Sequence, residues 1–473
     1  LEELVATAAE LGIRIVPEID MPGHVTSWLT AYPEWGGRQV APTERFGVHG
    51  ACLDPGNEAV YAAIGEILDA VVSVFPDSCL HIGGDEVSPR WWSEDPAVAA
   101  LMEREGLNDV RAVQGYFNER VGAMVAERGR TVLAWDEVLD AGFGADWVIQ
   151  AWRGSSMRDR ITAAGNQAVV SAPYYLDLHF PVDVHYDFDP AAPQHTLLAR
   201  EDALLSDPRF QHVSAGMRWT EQWREGMGNQ EEVDTERLLG AEACLWSELV
   251  NAGNLTTRLW TRLPALAERF WSPAAGRVSA EVHERVDAFL ERTAGLSSID
   301  PLGSSAAALG HLGVSGAWLE LLGWFEPVKW YGRLLGAEAL AARIAGREMP
   351  QARPYTLASP LNGVVDHLPV ESAAARRLGS LAPRAADDAE AGEQLAATLA
   401  TLRRLASLPA HEAPEALPEV AELMARLLRL TEVVEARCTG QLLSVEALSE
   451  LLSPVGELIL AAPKPLCLWL VQP

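Results

Sequence analysis

Over roughly the first 270 residues, short apolar runs alternate with longer amphipathic stretches, and this alternation constrains the fold more than any other feature. Six runs read as buried strands: Ile13–Ile19 (IRIVPEI), Cys79–Gly83 (CLHIG), Thr131–Trp135 (TVLAW), Trp147–Trp152 (WVIQAW), Gln167–Ala172 (QAVVSA) and Ala241–Trp246 (AEACLW). Most are apolar at consecutive positions, as a strand covered on both faces requires. Between them, stretches such as Ala59–Phe75 and Asp109–Arg128 carry a helical period. The pattern predicts a parallel sheet wrapped by helices.

Polar and aromatic residues gather where these runs end. Glu18 and Asp20 close the first, Asp85 and Glu86 the second, Trp135, Asp136 and Glu137 the third, and Trp152 and Arg153 the fourth. Tyr174, Tyr175 and Asp177 follow the fifth, and Trp246 and Glu248 close the sixth. Chemistry collected at the carboxyl ends of parallel strands is how a (β/α)8 TIM barrel builds its active site. A doubly wound sheet would place a Gly-rich phosphate loop after its first strand, and no GxGxxG stands there. Six strands are two short of a closed barrel. The chain opens on Leu1 inside a helix-like stretch, LEELVATAAELG, so the expectation is a barrel whose first two strand–helix units lie upstream. The catalytic barrel is expected over residues 1–275.

Residues 276–473 change in character. Ser279–Arg292 and Ala317–Ala345 read as helix, the latter with breaks; Pro350–Pro369 reads as a Pro-rich loop; Ala382–Leu408 and Pro414–Ala436 read as long amphipathic helices. No convergent polar cluster stands out, so this helical region is expected to pack on the barrel.

Composition narrows the partners. Lys+Arg number 37 and Asp+Glu 66, a formal charge of −29, which argues against nucleic acid and anionic lipid surfaces because phosphate binding needs a positive footprint. No run of eighteen apolar residues suggests a membrane span. The five cysteines, Cys52, Cys79, Cys244, Cys438 and Cys467, are scattered without a CxxC or Cys/His cluster, so neither a zinc site nor a disulfide framework is expected, and no cofactor. Asn254-Leu255-Thr256 matches the N-glycosylation pattern, a short match that arises readily by chance.

The chemistry centres on His81-Ile82-Gly83-Gly84-Asp85-Glu86. Adjacent carboxylates after a buried strand raise each other's proton affinity, which suits a general acid. The two glycines allow close approach of backbone and ligand. On this pair alone, a strand end capped by solvated acids explains the residues as well.

This hexapeptide resembles the His-x-Gly-Gly-Asp-Glu signature of glycoside hydrolase family 20, the β-N-acetylhexosaminidases. Val16-Pro17-Glu18-Ile19-Asp20-Met21-Pro22-Gly23-His24 is similar to that family's third-strand loop, and Val132-Leu133-Ala134-Trp135-Asp136-Glu137 to its fifth-strand segment. Gln150-Ala151-Trp152, Tyr174-Tyr175-Leu176-Asp177 and Ala243-Cys244-Leu245-Trp246-Ser247-Glu248 are similar to the sixth, seventh and eighth. The motifs stand in family order between Leu1 and Pro273.

The resemblance implies an exo-acting, retaining hydrolase that uses its substrate's own 2-acetamido group as nucleophile. It makes Glu86 the acid/base and Asp85 the acceptor that orients the acetamido N–H. Tyr175 would donate to the acetamido oxygen, and His24, with Asp20 nearby, would bond Glu86. Trp135, Trp152 and Trp246 would wall the acetamido methyl, although barrel core is the alternative for any buried indole. Asp177 and Glu248 would accept from the sugar's outer hydroxyls, or form structural salt bridges instead. His81 is expected to support the strand end. The implied partner is a glycan with a terminal N-acetylhexosamine, and the implied setting is periplasmic or secreted. The family's first-strand Arg and second-strand Asp have no counterpart in this sequence. Two other readings stay open: a retaining glycosidase with Glu137 or Glu248 as nucleophile, and a sugar-binding barrel without turnover. A metal-dependent hydrolase using His81, Asp85 and Glu86 is the weakest.

Overall fold

The computed structural model describes residues 1–218, 221, 224, 233–272, 281–296, 299–333, 356–417 and 419–472. Five parallel strands form one sheet: β1 (Cys79–His81), β2 (Thr131–Trp135), β3 (Val148–Ala151), β4 (Gln167–Val170) and β5 (Leu238–Ala241). They lie side by side in chain order, as the staves of a (β/α) barrel do and the strands of a doubly wound sheet do not. Helices Glu58–Val74, Val110–Glu127 and Met157–Ala163 cover the sheet. Asn57 and Asp109 start the first two by accepting backbone N–H groups from Ala59 and Ala112 at 3.0 and 2.8 Å. Their apolar faces, including Ile64, Leu68, Phe117 and Val121, pack on Leu80, Val132, Ile149 and Ala168 of the strands. At about 25 cal/mol per Å² of apolar surface, this continuous core holds the strand ends in register.

Two of the expected strands differ. The Ile13–Ile19 run makes only an isolated parallel bridge at Glu18↔His81, although Ile19 N–H still donates to His81 O at 2.9 Å and His81 N–H to Pro17 O at 2.9 Å. Pro17 has no N–H to give a ladder, and Ile13 stays exposed. The last run begins earlier than expected, as β5 at Leu238; beyond it only Tyr175↔Cys244 continues the pairing. Between β4 and β5 the chain detours through helices Val182–Asp187 and Gln194–Ser206.

After residue 281 the described chain is mainly helical. The helix expected from Ser279 runs over Val282–Leu296, with residues 279–280 outside the described residues. The one expected from Ala317 stops at Leu322. Gly323 follows, and Phe325–Pro327 (β6) pairs antiparallel with Leu458–Leu460 (β7). Residues 334–345 of that expectation, and 350–355 of the Pro-rich loop, lie outside the described residues. The later helices shorten or shift to Ala389–Ala406 and Val420–Cys438, which pair through Leu395, Leu399, Leu402, Leu423, Leu427 and Leu430.

The seam between barrel and helical region corrects the expectation of no polar cluster. Arg258 donates to the carbonyls of Val365, Asp366 and Leu368, each at 3.0 Å. Arg333 pairs with Asp366 at 2.7 Å, Lys329 with Glu326 at 2.8 Å, and His283 with Glu371 at 2.8 Å. The partners come from positions far apart in sequence, so no local pattern announces them. Asn254 of the glycosylation match is fully buried, with its amide donating to Leu249 O, and is closed to modification in this fold. All five cysteines are free, and among the described residues no helix is long and apolar enough to cross a membrane.

Candidate active site

The strand ends converge on a cavity of about 390 Å³. Its wall includes His24, Asp85, Glu86, Trp135, Trp152, Tyr175, Trp246 and Glu248. Eight of the eleven expected site residues therefore share one space. Asp20, His81 and Asp177 do not line it.

Asp85 and Glu86 follow β1 after Gly83 and Gly84, which take φ of 73° and 94°. A side chain at Gly83 would place its Cβ 1.7 Å from Asp20 Oδ1, so only glycine lets the first-run segment lie this close. Asp20 instead accepts the Gly84 N–H at 3.2 Å. Glu86 itself sits at φ 49° and His24 at φ 55°, a region non-glycine residues rarely adopt and which concentrates at functional sites. The turn after Met21-Pro22 brings His24 Nε2 to 3.4 Å from Asp85 Oδ2 and 3.3 Å from Glu86 Oε2. Burial favours the neutral ring. The hydrogen bonds to Asp85 and Glu86 outweigh it and hold His24 protonated, with a pKa raised to about 11. Asp20 is pushed well above the carboxylate range, first by burial and then by the Asp85 charge. Asp85 Oδ1 is a buried acceptor with no hydrogen-bond partner among the described residues.

Behind the cavity wall stands a second tier. Glu86 N–H donates to Glu137 Oε1 at 3.0 Å, and burial raises the Glu137 carboxyl to about 8. Trp135 Nε1 donates to Glu18 Oε1 at 2.9 Å, and burial raises Glu18 to about 7. His81 lies under Trp135 with ring centroids 5.0 Å apart; burial lowers it to about 4 and keeps it neutral. Asp177 is buried beside the Trp246 backbone N–H, which donates to it at 3.3 Å, and burial raises it to about 7. This bond orients the Asp177 carboxylate beside Trp246 through Oδ1.

The indoles are held by the strand ends. Trp135 and Trp246 stand with centroids 5.9 Å apart at 50°. Asp136 and Arg153 form a buried ion pair, and Asp136 also accepts the N–H groups of Trp152 and Arg153 at 2.9 and 3.2 Å. Tyr175 hydroxyl donates to Trp152 O at 3.3 Å. Glu18 and Glu137 stand at strand ends in the sequence, but the support they give to Trp135 and Glu86 has no local sequence signal. Arg45, Phe46 and Trp330 in the cavity wall escape sequence reasoning altogether. Nothing in their local sequence distinguishes them from loop residues.

The donor set tells against a structural zinc site, since no thiolate approaches the cavity. Asp20, His24 and Asp85 place one potential ligand atom each within 4.8 Å of one another. His24 Nε2 is directed at the carboxylates of Asp85 and Glu86, at 3.4 and 3.3 Å.

Comparison with known proteins agrees with the geometry. Residues 1–274 match the description "Glycosyl hydrolase family 20, catalytic domain". The chain is 31% identical over 284 residues to β-hexosaminidase subunit beta of Entamoeba histolytica, covering 58% of this chain and 47% of that protein. It is 31% identical over 277 residues to β-hexosaminidase subunit beta of Mus musculus, covering 55% and 44%. It spans about half the length of these relatives. A chitobiase structure from Flavobacterium johnsoniae superposes with a TM-score of 0.75 at 23% identity, over 99% of this chain and 67% of that one, a likeness of fold. The parallel sheet therefore belongs to a TIM-barrel catalytic domain, and the chain is a member of glycosyl hydrolase family 20.

Proposed function

We propose that this chain removes terminal β-linked N-acetylglucosamine or N-acetylgalactosamine from oligosaccharides, with retention, through an oxazolinium intermediate. In this reading, residues 1–275 form the catalytic barrel and 276–473 the helical region packed on it. The five-stranded sheet and the edge segment at Glu18 supply six staves, and two more are needed to close the barrel.

The observation that carries the proposal is the bridging of Asp85 and Glu86 by one histidine, on a cavity that the three indoles also wall. The sugar's acetamido oxygen attacks the anomeric carbon from within the molecule. The exocyclic C–O bond breaks, and Glu86 gives its proton to the leaving oxygen. Asp85 Oδ1, the acceptor without a donor, takes the acetamido N–H and balances the positive charge that develops. Tyr175 turns its hydroxyl from Trp152 O to the acetamido oxygen, and Trp135, Trp152 and Trp246 hold the methyl so that the oxygen sits at attack distance. Water then adds to the anomeric carbon, Glu86 accepts its proton, and the amide reforms. Glu248 on the cavity wall binds outer hydroxyls. Asp20 and His81 support His24 and the β1 end, and Asp177, held through Oδ1 by the Trp246 N–H, accepts from outer hydroxyls with its other oxygen.

Glu137 as an enzyme nucleophile fits less well. Glu137 is engaged by the Glu86 backbone and lies outside the cavity wall. The test is hydrolysis of a chromogenic N-acetylglucosaminide by the chain and by Glu86→Gln. General acid–base catalysis is worth about 10²–10⁴-fold, so kcat/KM is expected to fall by that factor. Equal rates refute the role of Glu86. Covalent labelling of Glu137 or Glu248 by a 2-fluoro sugar would overturn substrate assistance.

A further inference from the structure

Four non-glycine residues among those described take left-handed backbone: His24, Glu86, His179 (φ 61°) and Trp330 (φ 49°). The first two belong to the catalytic cluster. The other two meet across the seam. Trp330 N–H donates to Leu178 O at 2.7 Å, and His179 Nδ1 lies 3.1 Å from Val328 O. A bulky aromatic residue held in this conformation is one the surrounding structure over-determines. Its indole is 6% exposed and packs with Leu178, Phe180, Met217 and the half-buried Tyr175.

Trp330 also stands between two cavities. One is the site cavity of about 390 Å³; the other is a smaller one of about 90 Å³, with apolar side chains such as Ala172, Leu205 and Met217 in its wall. Four residues are common to both walls: Trp152, Tyr175, Leu178 and Trp330. Three come from the barrel. Trp330 alone lies beyond residue 274, where the family match ends.

We propose that Trp330 determines specificity for the N-acyl group. Its indole completes the partition behind Trp152 and Tyr175, so that an N-acetyl group fits and a longer acyl chain meets the ring. The region outside the family match thereby sets which 2-acylamino sugars the barrel accepts. This inference rests on the reading of the cavity as an N-acetylhexosamine site. Trp330 is thus a specificity-determining residue that bounds the acyl pocket with Trp152.

The experiment measures affinity, so it does not depend on turnover. Sugar thiazolines bearing the N-acetyl, N-propionyl and N-butyryl carbon skeletons are titrated against the chain by calorimetry. The chain should prefer the acetyl compound, since one methylene against a closed apolar wall discriminates about 10–200-fold. Trp330→Ala should join the cavities and reduce the acetyl-to-butyryl ratio at least tenfold, with Trp330→Phe between the two. Leu205→Ala enlarges the smaller cavity but leaves the partition, and should keep the chain's own ratio. A ratio unchanged in both Trp330 variants overturns the inference and leaves the sugar site standing. An equal shift in Leu205→Ala also overturns it, because general loosening would then explain the change. If the chain binds none of the thiazolines, the sugar site falls and this inference with it.

Discussion

The barrel and the helical region bury different things. Around the sheet, carboxyl groups at strand ends are buried without a cation to match each one, and burial raises Glu18, Glu137 and Asp177 to about 7, 8 and 7. In the helical region the core is almost purely aliphatic, with Leu402, Leu427 and Leu430 fully enclosed. The charges buried near it stand at the seam, where Lys329 and Arg333 meet carboxylates and Arg258 meets backbone carbonyls. Desolvating an ionisable group costs stability, and enclosing leucine gains it. The barrel thus carries the cost of the chemistry while the helices stabilise the fold they share.

That contrast predicts which substitutions separate activity from stability. Asp85→Asn should lower kcat/KM on an N-acetylglucosaminide by about 10²–10³-fold, the usual cost of losing one preorganised charge-stabilising contact, with little change in Tm. A comparable fall in Tm would show that Asp85 is structural and break the contrast. Leu427→Ala should do the reverse, costing about 2–5 kcal/mol in a denaturant titration while kcat/KM per folded molecule stays the same. A large loss of activity in the folded fraction would mean that the helical core also tunes the site.

The pH dependence sharpens the comparison further. Glu137 has a reference value of 4.5 and is raised to about 8 in the fold, so the folded state holds a proton the unfolded chain has lost. Its contribution is fully present below 4.5 and disappears as pH rises through 8. The denaturation midpoint should therefore decline between those limits, and Glu137→Gln, which keeps an acceptor for the Glu86 N–H, should decline less steeply. Parallel curves would exclude Glu137 as a source. The smallest effect belongs to an exposed pair on the helical region. Arg404→Ala, which removes the 2.5 Å contact with Glu320, should change stability by less than about 1 kcal/mol. A larger loss in the same titration would assign that surface pair a role in holding the helices.

Much of the barrel was legible because its determinants are local. Thr131–Trp135 is a strand with the bounds its apolar run suggests, and the polar residues after each run do meet at one end of the sheet. The first run misled because apolarity alone does not register the missing donor at Pro17. Eight of the residues named from motif order share one cavity, whereas the bond from the Trp246 N–H to Asp177 depends on how two strand ends approach and has no local signal. Trp330 was illegible for the same reason. It reaches the cavity through packing against Leu178, more than a hundred residues earlier, and no periodicity encodes such a contact.

The Asp136–Arg153 pair has one more consequence. Trp135 precedes Asp136 and Trp152 precedes Arg153, so the pair rivets together the two strands that carry these indoles. The backbone positions from which both rings project are therefore tied to one another. Reshaping the cavity by trimming an aromatic ring would leave this frame intact, whereas breaking the Asp136–Arg153 pair would release both walls together.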